Sequence, residues 1–161
     1  MEIRKVQPGD ITPEVMADLE ALFNEGFVKE VVPRKFSWQN FSKFWEVGLQ
    51  LPVMALWFLV DESDETGEEH VFGLIGGTVF ENIVTDHKIG VELCWRTSSK
   101  IKGQGLGWEL LATFIEWAIK NGATRIMTHR FLSNTEADER YEKRIKEMGF
   151  KPSGCEYFMD V

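Results

Sequence analysis

Gly103, Gly105 and Gly107 occupy alternate positions of the run Lys100-Ile-Lys-Gly-Gln-Gly-Leu-Gly107, directly before a strongly amphipathic stretch. Glycines there strip side chains from a turn that opens a helix. Backbone N–H groups can then converge on an anion at the positive end of the helix dipole. The chemistry predicted is binding of a phosphate-bearing ligand. Two well-known phosphate loops fail on detail. The dinucleotide fingerprint needs G-x-G-x-x-G after a first strand, whereas this turn reads G-x-G-x-G late in the chain. The nucleoside-triphosphate loop needs G-K-S/T, which is absent. Cys94, Cys155 and the three histidines lack metal-ligand spacing, so no metal site is expected.

The elements that must position this turn are legible around it. Residues 2–7 alternate as a first strand. Thr12 before Pro13 is an N-cap with proline at the first helical position, and Val15, Leu19, Leu22 and Phe23 form the stripe of a helix that Gly26 stops. Ser37 caps a second helix carrying Trp38, Phe41, Trp45 and Leu49, closed by Pro52. Residues 53–60 are continuously apolar, as in a buried strand. Six acids in the nine residues 61–69 then predict a solvated hairpin turn, the alternative being an acidic lip that attracts a cationic substrate. A strand over 71–80 contains Gly76-Gly77, the mark of a bulge or twist. A strand over 89–97 leads into the glycine turn.

The helix from 107 to 121 is the clearest element. Leu111, Ile115 and Ile119 form one ridge, Leu110, Phe114 and Ala118 its neighbour, and Asn121-Gly122 ends it. A strand over 124–131, a polar helix over 135–148 and a strand over 154–160 complete the order β-α-α-β-β-β-α-β-α-β. That order predicts one mixed α/β domain spanning 1–161.

Bulk properties bound the function. A length of 161 residues with 43% hydrophobic and 12% aromatic content is globular and large enough for a real core. The six Trp and twelve Phe are assigned mainly to that core. A net charge of −8 argues against nucleic acid or an anionic membrane as partner and weakly favours a cationic substrate. The start, Met-Glu-Ile-Arg-Lys-Val, has no apolar signal region, and the longest apolar run is too short to span a bilayer. Two thiols without a disulfide pattern fit a reducing compartment, so a cytoplasmic protein is expected.

Strand, basic-flanked glycine turn, amphipathic helix and strand together resemble the GNAT family of acyl-CoA-dependent N-acyltransferases. The family hallmark, Q/R-x-x-G-x-G/A between fourth strand and third helix, matches Lys102-Gly103-Gln104-Gly105-Leu106-Gly107. Lys102 stands where Arg or Gln is usual and supplies a cation without the planar fork of Arg. Asn134-Thr-Glu-Ala137 with Tyr141 is similar to the family's N-x-x-A-x-x-x-Y, and Met148-Gly149-Phe150 to its closing Leu-Gly-Phe. The likeness extends over most of the chain through the element order. Gly-Phe usually follows the Tyr by four residues, whereas Gly149 lies eight beyond Tyr141. Either the helix carries an extra turn or Ile145 takes the Tyr position.

The resemblance implies acetyl-CoA as donor, with its pyrophosphate on the N–H groups of Lys102, Gly103, Gln104, Gly105, Leu106 and Gly107. It implies that the pantetheine arm pairs along Trp95, Arg96 and Thr97, with Asn134 holding it. It also implies direct attack by a primary amine, with backbone N–H groups near Trp95–Thr97 stabilising the oxyanion. Such transfer needs a base and an acid. Tyr141 is the candidate acid. Glu92, a charge in an apolar strand, is the candidate base, an ion pair being its alternative. His129 titrates in the right range, with a structural role as its alternative. Arg96 steers phosphate or substrate, or is a solvated strand residue. Trp38, Trp45 and Phe36 fall where the family walls its acceptor groove, or else pack in the core. Dimers are common in the family, so a homodimer is compatible. The contrasting readings are a catalytically degenerate acyl-CoA-binding sensor or interaction module, and a fold kept only for assembly.

Overall fold

The computed structural model describes residues 1–26, 37–62, 67–84, 86–128 and 136–151. They fall into two compact units, Met1–His129 and Arg130–Val161. The expected strand over 154–160, with Cys155, lies outside the described residues.

Among the described residues, the first unit is built on a five-stranded sheet. Its strands are β1 (Glu2–Lys5), β2 (Met54–Glu62), β3 (Glu69–Glu81), β4 (Lys88–Thr97) and β5 (Arg125–Met127), in spatial order 1-2-3-4-5. Every neighbouring pair is antiparallel except β4 and β5, which are parallel. The sheet is therefore mixed. Helices α1 (Pro13–Gly26) and α2 (Trp38–Gly48) belong to one face and α3 (Leu106–Lys120) to the other.

Two consecutive residues show both faces at once, because successive strand positions point to opposite sides. A Cβ on Gly76 would strike Trp45 of α2, and one on Gly77 would strike Phe114 of α3. Burial on both sides explains why 53–60 reads as an unbroken apolar run rather than an alternating one.

The caps sit where the sequence places them. Thr12 Oγ1 accepts the Val15 N–H at 3.4 Å, and Ser37 Oγ accepts that of Asn40 at 3.4 Å. Gly122, at φ 89°, ends α3, with Gly122 N–H donating to Ile119 O and Ala123 N–H to Ala118 O, both at 2.9 Å.

The core on the α1/α2 face joins Met16, Leu19, Leu22 and Phe23 to Trp45, Leu56, Phe58 and Leu74. Trp45 is thus core, whereas Trp38 is exposed; Phe36 lies outside the described residues. On the other face the ridge Leu110–Phe114–Ala118 lands on three glycines. Leu110 lies over Gly73, Phe114 over Gly77 and Ala118 over Gly90. The helix rests almost on the strand backbones. Ile119, expected in the ridge of Leu111 and Ile115, is exposed instead; at that end of α3 it is Ala118 of the neighbouring ridge that meets the sheet, at Gly90.

This close approach gives a sharp stability prediction. A methyl at position 77 would come within 2.5 Å of the Val91 carbonyl oxygen and 2.9 Å of Phe114 Cζ. Val91 is paired on both sides, with Thr78 of β3 and Met127 of β5, so its backbone has little room to shift. Gly77→Ala is expected to destabilise by about 3 kcal/mol, lowering Tm by roughly 6–12 °C. Urea denaturation checks this, and a loss below about 1 kcal/mol would contradict it.

The second unit contains α4 (Glu136–Glu147), one continuous helix through Tyr141. Gly149, at φ 91°, closes it, with Phe150 N–H donating to Ile145 O at 3.1 Å and Gly149 N–H to Lys146 O at 2.9 Å. Tyr141 and Ile145 lie one turn apart and both are partly buried. Among the described residues, no helix of the protein is long and apolar enough to cross a membrane.

Candidate functional site

β4 ends at Thr97, and the chain then turns through a short 3-10 helix, Ser99–Ile101, into the glycine turn. Ser98 N–H donates to Phe72 O at 2.8 Å, fastening the exit from β4 to β3. Gly103 has φ 86° and Gly105 φ 81°, conformations that only glycine adopts without strain. Nothing lies within 4 Å of a Cβ built on either, so the turn presents bare backbone to solvent.

Gly105 is the N-cap of α3 and offers no side chain to its first amides. Trp108 N–H folds back to Gly105 O at 2.9 Å, and Gln104 N–H to Ile101 O at 3.3 Å. The N–H groups of Gly103, Gly105, Leu106 and Gly107 have no acceptor among the described residues. Four donors at the positive end of a fifteen-residue helix are what an anion requires. Lys102 and Gln104 are exposed beside them.

Gly107 has a different task. A Cβ there would meet Thr97 Cγ2 at 3.3 Å and Trp95 Cζ2 at 4.0 Å. The missing side chain therefore brings the mouth of α3 down onto the end of β4. Trp95 and Trp108 lock that approach edge to face, with ring centroids 5.4 Å apart at 69°.

β4 is bulged. Gly76 pairs with Cys94 and Gly77 with Glu92, which leaves Leu93 as the extra residue, half exposed. The bulge expected at Gly76-Gly77 is present, but the inserted residue belongs to β4. Among the described residues, β5 pairs with β4 only across Ile89–Val91, so this pairing ends where the bulge begins. The strands thus part beside Glu92, with α3 mounted over the far end of β4. Sites in parallel βαβ units lie at such carboxyl ends.

Glu92 is 5% exposed and accepts a hydrogen bond from Thr128 Oγ1 at 2.9 Å. Its charge reaches two neighbours. Burial lowers the pKa of the Arg96 guanidinium and the Glu92 carboxylate opposes that shift, so Arg96 stays a cation. Burial pushes the Cys94 thiol up and Glu92 adds to it, which keeps the sulfur protonated and unreactive.

The first unit therefore gathers Trp95 and Thr97 with Gly103, Gln104, Gly105, Leu106 and Gly107 at one end of α3, and Glu92 with Arg96 at the bulge. His129 and Asn134 lie outside the described residues, and Tyr141 sits on α4 of the second unit. Sequence reasoning missed Thr128, Trp108 and Glu25. The first two lie in predicted elements but acquire meaning only through partners 36 and 13 positions away in the chain.

A family model for the Acetyltransferase (GNAT) family matches residues 16–146. The chain belongs to the GNAT family. No curated protein matches its sequence. Solved structures share the GNAT fold over nearly their whole length. A transcriptional regulator from Bacillus halodurans C-125 superposes with TM-score 0.75 at 18% identity, covering 99% of each chain. A GNAT family acetyltransferase from Staphylococcus aureus subsp. aureus USA300_TCH1516 gives 0.69 at 14% identity, over 99% of this chain and 98% of that one. An aminoglycoside acetyltransferase from an uncultured soil metagenomic sample gives 0.70 at 11%, over 99% and 97%. At such identities the likeness shows the fold alone.

Proposed function

We propose that this protein transfers an acetyl group from acetyl-CoA to a primary amine of a small molecule or peptide, with residues 1–161 working as one domain. One observation carries the reading: the acceptor-free N–H groups of Gly103, Gly105, Leu106 and Gly107 at the mouth of α3, beside the last residues of β4. The donor's pyrophosphate sits on that cradle, which the open space around Gly103 and Gly105 leaves accessible. Trp95, Arg96 and Thr97 offer extended backbone leading from it toward the bulge.

In the reaction the amine nitrogen bonds to the thioester carbon, the C–S bond breaks, and one proton leaves the nitrogen while the thiolate gains one. Glu92 takes the first proton, directly or through water; it is buried, and Thr128 orients it. Backbone N–H groups near Trp95–Thr97 stabilise the developing oxyanion, an assignment taken from the family resemblance. Tyr141 gives the second proton, an assignment resting on the sequence resemblance alone.

A net charge of −8 and the acidic 61–69 segment favour a cationic acceptor. The aminoglycoside acetyltransferase among the structural neighbours makes an amino sugar one member of the test panel. The experiment is release of free CoA thiol from acetyl-CoA with an aminoglycoside, a polyamine and a lysine peptide. Amine-dependent release is expected. Tyr141→Phe should lower kcat about 10- to 100-fold with the Kd for acetyl-CoA unchanged. Binding without transfer to any amine would favour an acyl-CoA sensor instead.

A further inference from the structure

Glu25, in the last turn of α1, reaches across to the segment that launches the glycine turn. Its carboxylate accepts the Ser99 N–H at 2.9 Å, Ser99 Oγ at 3.1 Å, and Ser98 Oγ at 3.1 and 3.3 Å to its two oxygens. Ser98 is 6% exposed, and its Oγ also accepts the Lys100 N–H at 3.3 Å. We propose that Glu25 is a positioning residue for the cofactor: it clamps Ser98–Ser99 and so fixes where Gly103 and Gly105 present their N–H groups. The inference rests on the acetyl-CoA reading above.

The reach of the clamp is short. Ile101 N–H bonds back to Ser98 O, and Gln104 N–H to Ile101 O, each at 3.3 Å. Two consecutive turns therefore link the clamped serines to the glycines. Donors in such a turn serve an anion only if their directions are set before it arrives.

A contribution to α1 itself is a poor explanation for Glu25. A carboxylate at a helix C-terminus opposes the macrodipole, and α1 has no basic residue in its last turn to offset it. The Ser99 N–H, followed by the serine hydroxyls and the charge of Lys100, outweighs slight desolvation and holds the Glu25 pKa below the usual carboxylate value. The ionised group is the one that can accept from three donors together.

The test measures acetyl-CoA affinity by calorimetry, steady-state kinetics, and amide hydrogen exchange of residues 98–105 in the free protein. Glu25→Ala is expected to raise Kd and KM for acetyl-CoA about five- to tenfold with kcat changed less than about twofold. Exchange in 98–105 should quicken. Glu25→Gln, which keeps one acceptor for the Ser99 N–H, should recover part of the affinity. Ser98→Ala should add little in the Glu25→Ala background, since both disrupt one network. Unchanged Kd and exchange in Glu25→Ala would overturn the clamp, as would a fall in kcat with Kd preserved. If the wild type binds no acetyl-CoA, the acetyltransferase reading fails, and the exchange measurement still decides whether Glu25 orders the turn.

Discussion

Gly105→Asp is expected to weaken acetyl-CoA binding at least about 100-fold, equivalent to roughly 2.7 kcal/mol, while the protein stays folded. Position 105 has φ 81° and ψ −12°, caps α3 and has open space around its Cβ. Aspartate is among the few residues that tolerate the left-handed region, so the strain is modest, on the order of 1 kcal/mol. Its carboxylate would sit beside the Leu106 and Gly107 N–H groups. There it would occupy the donors and repel an incoming pyrophosphate. Gly105→Ala separates these effects, carrying the strain without the charge; its Kd should rise less than about fivefold. Similar losses in both variants would trace the effect to backbone distortion, not anion binding.

Glu92→Gln is expected to lower kcat by about 100-fold or more, with KM for acetyl-CoA within twofold of wild type. The amide keeps the shape of the carboxylate, and its carbonyl oxygen can still accept from Thr128 Oγ1, a bond now 2.9 Å long. Lost is the capacity to take a proton. The competing role, an ionic partner for Arg96, predicts a different pattern. Removing the negative charge would leave a half-buried guanidinium undercompensated and lower Tm, with kcat nearly preserved. Measuring kcat and Tm on the same variant decides between them.

What could be read from the chain alone divides along the range of the interactions involved. The Thr12 and Ser37 caps, the Gly122 stop and the glycine turn are local: each needs a residue type within four positions of the atom it serves. The same locality made α3 plain and placed Gly103 and Gly105 at its mouth. The bulge was half legible. Gly76-Gly77 marked the place, but only the register with β4 shows that Leu93 is the extra residue and that Glu92 lies at its edge.

Longer-range features left no local trace. Glu25 and Ser99 are 74 positions apart, and a glutamate near the end of a helix looks like any solvated charge. The glycines beneath α3 fall on two strands, so their common line under Leu110, Phe114 and Ala118 emerges only once the sheet is paired. Ile119 misled for the reverse reason: helical periodicity marks a stripe but not how far along its length a neighbour covers it.

The most direct measurement is a calorimetric titration of acetyl-CoA into the wild-type protein. Saturable binding of one equivalent, with Kd on the order of micromolar, is the result expected of a preformed anion cradle. No saturable heat, together with no thermal stabilisation by millimolar acetyl-CoA, would contradict it and leave a GNAT fold without the cofactor chemistry assigned to its glycine turn.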